Sequence, residues 1–239
     1  MSNICDDGGL KVAILIPARY NSTRFPGKAL HLLDGVPMAE HVYRRCESSG
    51  IDTFLVSDDE RICSLVANSI MTSSNCQNGT ERCAEAASQL QQYDAFINVQ
   101  GDMPDITVEI IHQVAEALKK CELATIYTLM SGEQRQDPNS VKLIHNGERA
   151  IWCCRAPLKY GDHHLGVYGY HKRALLSYTS LPTFESEDLE GLEQLRWFSS
   201  NWHMNVIEVK FSGQEINTPQ DAERWSTLNA TPRRGIYDE

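Results

Sequence analysis

VAILIPARYNSTRFPGK, residues 12–28, runs an unbroken apolar stretch straight into a loop that carries Arg19, Arg24 and Lys28. The apolar part, Val12–Ile16, reads as a strand buried on both faces. A basic loop containing Gly and Pro at the end of a buried first strand is where α/β proteins hold nucleotide phosphates. The spacing is neither G-x-x-x-x-G-K-[ST] nor G-x-G-x-x-G. Side-chain cations, rather than a glycine-rich backbone alone, would therefore grip the anion. That suits a triphosphate and a pyrophosphate leaving group. An isolated run of charge is more often a solvated loop. Three cations between a core strand and a helix, in a chain of net charge −10, favour the anion site.

Working outward from that strand, apolar runs and amphipathic segments alternate. Met38–Ser49 has helical period and is stopped by Gly50; Thr53–Ser57 is a short apolar strand. Glu60–Asn68 and Thr80–Gln92 read as helices, Ala95–Val99 as a third buried strand and Val108–Lys120 as a clear helix. Such alternation predicts an α/β fold, a mostly parallel sheet with helices on both faces. The second half is richer in strands: Leu123–Leu129, Val141–Ile144, Ala150–Cys154, Gly166–Tyr170 and Val206–Lys210. Between and after them, Lys172–Ser180, Leu189–Asn201 and Thr218–Leu228 read as helices, the last opened by a capping threonine and a first-turn proline. One domain over 11–230 with a modified sheet edge is expected, flanked by a short disordered lead (1–10) and a tail (231–239).

The 239 residues are 41% hydrophobic and 23% charged, enough for a sizeable core. The acidic balance argues against broad binding to nucleic acid. No apolar run approaches the ~18 residues of a membrane span. The first ten residues, MSNICDDGGL, are too polar for a signal peptide. Eight cysteines show no C-x-x-C and no zinc spacing, so free thiols in a reducing cytoplasm are expected.

Ligands of open α/β sheets sit beyond the carboxyl ends of the strands. Three such ends are polar: Pro17–Lys28, Ser57-Asp58 and Gln100-Gly101-Asp102. They are expected to converge. Asp102 in that position can hold Mg²⁺ against phosphate oxygens; a lone aspartate there would be a turn or cap residue. Gln100 offers an amide to a substrate or a base. Asn78-Gly79-Thr80 is either a helix cap or a backbone contact to a nucleotide. Arg155, after a strand, suits a carboxylate or phosphate clamp. His164 and Tyr168 share a face if the segment is a strand. Glu193 and Gln194 fall within the expected helix 189–201, where carboxylates are usually solvated.

Together these stretches resemble the CMP-Kdo synthetases (3-deoxy-manno-octulosonate cytidylyltransferases). The resemblance rests on IPARYNSTRFPGK (16–28), NGTER (78–82), NVQGD (98–102), HLGVYGY (164–170), LEQLR (192–196) and NTPQDAER (217–224), in order along nearly the whole chain. It implies a Rossmann-like nucleotidyltransferase sheet with a modified antiparallel edge, and a cytoplasmic enzyme that uses CTP, Mg²⁺ and an acidic sugar. By that resemblance Arg19, Arg24 and Lys28 hold the triphosphate. Ala18 and Asn78-Gly79-Thr80 line the cytidine, with Gln100 close by. Asp102 binds metal. Gln100, Arg155, His164, Tyr168, Glu193 and Gln194 surround the sugar acid, with Arg155 on its carboxylate.

Three departures stand out. Asn217 occupies a position where the family carries a metal-binding Asp, and Asp221, one helical turn on, is a candidate to compensate. Met103 replaces a Glu after QGD. The segment between Arg155 and His164 is short, which bears on the dimer contact and the sugar-site rim, so a homodimer is an open expectation. Three other functions compete: CTP-dependent activation of another acid (an amino-Kdo, a nonulosonic acid or a phosphonate), a glycosyltransferase, and a non-catalytic nucleotide binder. The glycosyltransferase would be expected to carry Asp-x-Asp, and Gln100-Gly101-Asp102 lacks the first Asp.

Overall fold

No polar residue interrupts Val12–Ile16, and the strand it forms lies at the heart of a mixed α/β fold. The computed structural model describes residues 9–22 and 24–230, so the expected tail and most of the expected lead lie outside it. The first half is built from β1 (Val12–Pro17), β2 (Leu32–Leu33), β3 (Val36–Pro37), α1 (Met38–Glu47), β4 (Asp52–Ser57), α2 (Glu60–Cys63), β5 (Ser69–Met71), α3 (Gly79–Gln89), β6 (Ala95–Val99) and α4 (Val108–Ala117). The second comprises β7 (Leu123–Thr128), β8 (Lys142–His145), β9 (Ala150–Cys154), β10 (Asp162–His171), α5 (Lys172–Ser177), α6 (Glu185–Glu190), α7 (Leu195–Ser199), β11 (Asn205–Glu208) and α8 (Pro219–Ala230).

The main sheet runs β11-β7-β10-β6-β1-β4-β5. Its β6-β1-β4-β5 half is parallel throughout. The departure from parallel order is β10, which enters antiparallel between β6 and β7 and carries the β8–β9 hairpin. β1 buries both faces. Ile14 and Ile16 pack with α1 and α4 residues such as Val42 and Ile111, while Ala13 and Leu15 pack with α3 and α5 residues such as Cys83 and Leu175. Period-2 alternation thus feeds two cores, and helices cover both sides as expected.

Two expected helices are corrected. Leu189–Asn201 is not continuous: Gly191, at φ 60°, caps α6 in the left-handed region, and α7 begins at Leu195. Glycine adopts that conformation without the Cβ clash that other residues meet. Glu60–Asn68 is helical only to Cys63, and Ser69–Met71 instead pairs with β4 as a further parallel strand. Sheet pairing outweighed a weak helical period there.

Among the described residues the cysteines are free, with Cys46, Cys83, Cys153 and Cys154 buried. No helix of the described residues is long and apolar enough to cross a membrane.

Candidate active site

The parallel strands end on one side of the sheet, and the loops leaving β1 and β6 open there onto a cavity of about 820 Å³. Of the site residues expected from sequence, Ala18, Arg19, Arg24, Lys28, Asn78, Gly79, Gln100, Asp102, Arg155, His164, Tyr168, Glu193, Gln194 and Asn217 all line it. A smaller hollow of about 360 Å³ beside α3, lined by Cys76 and Glu85 among others, holds none of them.

One wall is the loop after β1. Its chain reverses through Gly27 N–H donating to the Tyr20 carbonyl at 3.0 Å, which brings Lys28 back to the sheet. Lys28 Nζ donates to Asp102 Oδ2 at 2.5 Å, both side chains about one-fifth exposed (18% and 21%). Arg24 Nη2 donates to Asn217 Oδ1 at 3.2 Å, tying the same loop to the start of α8. Asp221 does not line the cavity. Its Oδ2 accepts from the Asn217 and Thr218 N–H groups and the Thr218 hydroxyl, while Thr218 Oγ1 accepts from Asp221 N–H. This reciprocal capping box consumes the carboxylate proposed to compensate for Asn217.

The third strand end behaves differently. Asp58 reaches Arg82 Nη2 at 3.3 Å, and it is Arg82, 4% exposed, that lies on the cavity wall. Ser57-Asp58 therefore supports the site from behind rather than facing it.

Asn78 caps α3, its Oδ1 accepting from Glu81 N–H at 2.9 Å. Thr80 is buried. Its N–H donates to Glu193 Oε2 at 3.0 Å, and its hydroxyl sits 3.4 Å from that of Tyr170. A carboxylate at a helix N-terminus is electrostatically favoured. Burial nonetheless pushes the Glu193 pKa up. Glu193 and Gln194 lie in the turn between α6 and α7, not on a helix. That turn is held by Arg196, which donates to Glu187 through Nε (2.8 Å) and Nη2 (2.6 Å) and to Glu81 through Nη1 (3.1 Å). Arg82, Glu187, Arg196 and Glu215 all reach the cavity. Arg82 and Arg196 fall within the NGTER and LEQLR motifs but carry no role of their own there, while Glu187 and Glu215, in a short helix and a loop, give no periodic signal.

The far wall is β10. Gly166 lets the strand touch Gln100: a Cβ there would stand 2.9 Å from Gln100 Cγ. The strand is irregular between Leu165 and Tyr168, yet the His164 and Tyr168 rings still meet, at 5.4 Å between centroids. Tyr168 Oη donates to Gln194 Oε1 at 3.2 Å, leaving the buried Gln194 Nε2 without a partner among the described residues. A buried donor left open at a cavity wall is a place for a ligand oxygen.

His164 Nε2 lies 3.0 Å from Thr125 Oγ1. Burial, with the charges of His163 and Arg155, lowers its pKa from 6.5 to about 3, so it is neutral at pH 7. Its folded pKa lies below its unfolded one. The unfolded chain binds the extra proton, and stability falls as pH drops from 6.5 toward 3. The melting temperature should therefore fall more steeply with falling pH over that range for the native chain than for His164→Gln; identical dependence on pH would exclude this burial effect.

Arg155 donates through Nε to the Glu190 carbonyl at 2.9 Å, and its own N–H to Glu190 Oε2 at 2.7 Å. Burial and then the nearby Arg24 charge lower its pKa. Two guanidinium groups that repel across a cavity favour an anion between them. Burial first, then Asp102, push Glu215 up to about 7, while Gly166 N–H, Lys28 and Arg155 pull the other way.

The cytidylyltransferase family model matches residues 13–210. A 3-deoxy-manno-octulosonate cytidylyltransferase from Fusobacterium nucleatum is 36% identical over 90% of this chain and 95% of its own. An 8-amino-3,8-dideoxy-manno-octulosonate cytidylyltransferase from Shewanella amazonensis is also 36% identical, over 90% and 97%. The structure of a CMP:2-keto-3-deoxy-manno-octonic acid synthetase complexed with CTP superposes with a TM-score of 0.86 at 31% identity, covering 92% of this chain and 98% of that one. With cations, carboxylates and β10 polar groups gathered at the carboxyl ends of its parallel strands, the chain belongs to the cytidylyltransferase family of nucleotidyltransferases.

Proposed function

We propose that this chain joins CMP from CTP to 3-deoxy-manno-octulosonate (Kdo) or its 8-amino analogue and releases pyrophosphate. The observation that carries the reading is that one cavity gathers Arg19, Arg24, Lys28 and Asp102, from the loops after β1 and β6, together with Arg155, His164, Tyr168 and Gln194. The names of the relatives from Fusobacterium nucleatum and Shewanella amazonensis support the same pair of substrates.

In the reaction the anomeric hydroxyl gives up its proton to water as its oxygen bonds to the α-phosphorus, the bond from the α-phosphorus to the oxygen bridging it to the β-phosphorus breaks, and pyrophosphate leaves with the electron pair. Lys28 turns from Asp102 to the phosphates, while Arg19 and Arg24 neutralise the departing charge. Arg155 holds the sugar carboxylate, and Gln194 Nε2 donates to a sugar oxygen. Neutral His164 and Tyr168 shape the sugar end without adding charge. The chain acts by holding two anions in line rather than by covalent catalysis.

The donor set fits a divalent cation. Asp102 and Glu215 place hard oxygen donors on the cavity wall, and among the described residues no cluster of three or more acidic, His or Cys side chains forms a full protein cage. Mg²⁺ is typically held this way, by one or two carboxylates with substrate phosphates and water. When bound it would lower the pKa of the attacking hydroxyl and screen the α-phosphate. Asp102 is its first expected ligand.

Pyrophosphate release should require CTP, Mg²⁺ and an acidic sugar together. Kdo, its 8-amino analogue, a nonulosonic acid and a phosphonate offered in turn will rank the acids, with one of the first two fastest. Release with none of the four, despite CTP uptake, would leave a nucleotide binder and overturn the proposal.

A further inference from the structure

The segment after β11 returns along the exit of β6 and is pinned there. Ile216 N–H donates to the Asp102 carbonyl at 2.9 Å, and Asp105 accepts from Gln214 N–H and from Trp225 Nε1, each at 3.0 Å. Ile216 is fully buried with Phe25, Met38 and Trp225. Its neighbours on either side, Glu215 and Asn217, both face the cavity. Of these two positions only 215 holds an ionisable side chain.

The single side-chain oxygen of Asn217 already accepts from Arg24, and Asp221 is spent on capping α8. Lys28, whose charge reaches Glu215, is paired with Asp102 instead. In its ionised form Glu215 adds negative charge to a cavity that, on the reading above, takes a triphosphate and an acidic sugar. Such a group repels both substrates unless a cation lies between.

We propose that Glu215 is the second carboxylate ligand of the divalent cation, facing Asp102, and that Asn217 serves to hold Arg24. The proposal rests on the function given above only for the presence of the cation. Positions 215 and 217 flank the buried Ile216 and both line the cavity, so an acid at 215 stands on the same wall as Asn217. Glutamate's extra methylene extends its reach.

Mn²⁺ alone, titrated into the full chain and followed by the electron paramagnetic resonance signal of free Mn²⁺, tests this without turnover. Glu215→Gln should weaken binding by at least about tenfold, the lower end of what even an outer-shell change costs a metal site. The double variant Glu215→Gln with Asn217→Asp should recover most of the loss, which a merely misfolded Glu215→Gln would not. Asn217→Asp alone should tighten binding, with three carboxylates present. Unchanged Mn²⁺ binding in Glu215→Gln, no recovery in the double variant, or no Mn²⁺ binding to the native chain would each overturn the assignment. Altered sugar KM with unchanged Mn²⁺ binding would make Glu215 a sugar contact and also overturn it. A native chain that binds Mn²⁺ through Glu215 yet releases no pyrophosphate with any acid would leave this inference standing and count against the proposed reaction.

Discussion

Asp102→Asn is expected to cut pyrophosphate release by on the order of a thousandfold, the size of effect seen when one preorganised electrostatic group is removed from a transition state. The side chain keeps its volume, and its amide oxygen can still accept from Lys28. What is lost is the charge that would meet the cation. The fold should barely notice. The Lys28–Asp102 pair is about one-fifth exposed on both sides, so solvent screens it to roughly 1 kcal/mol or less. The backbone carbonyl that holds Ile216 is untouched by the substitution. CTP uptake, measured by calorimetry, should change far less than turnover, because Arg19, Arg24 and Lys28 still line the cavity. Turnover within about tenfold of native would take Asp102 out of the mechanism. A collapse in melting temperature would instead make it a structural residue.

What could be read in the sequence, and what could not, divides along a physical line. β6 falls on the expected Ala95–Val99, and the carboxyl ends of β1 and β6 meet as the topology required. These elements are local: an apolar run buried on both faces leaves little choice of structure. The expected convergence of Asp102, Arg24, Arg155 and His164 needed the whole chain order, and the motif resemblance supplied it. The misread elements are those set by partners distant in sequence. Ser69–Met71 is a strand because β4 offers an open edge. Residues 189–201 break because Gly191 turns the chain so that Arg196 meets Glu187 and Glu81. Glu215 escaped notice because nothing in E-I-N-T-P says which side chains face inward until Ile216 is seen in the core.

Arg196→Met should be the most damaging single change to stability among the cavity residues. Arg196 and Glu187 are 4% and 7% exposed, and their pairing is bidentate. Burial alone would lower the Arg196 pKa, but Glu187, Tyr178 and Glu81 outweigh it. The guanidinium also lies 4.3 Å from the Tyr178 ring centroid. Removing it strands the Glu187 carboxylate in the interior, a change that costs about 3–5 kcal/mol in comparable sites. For a chain of this length that is a fall in melting temperature on the order of 10 °C. Glu187→Met added to Arg196→Met should restore much of the loss, since an apolar pair of similar volume needs no solvation. The double variant separates two roles. If the network exists only for stability, the restored protein should regain native KM for the sugar. If it also sets the turn that presents Glu193 and Gln194 to the cavity, stability returns while KM stays raised. A single Arg196→Met variant that melts within about 2 °C of native, less than 1 kcal/mol at this size, would show that the ion pair is solvated and the turn is held by packing alone.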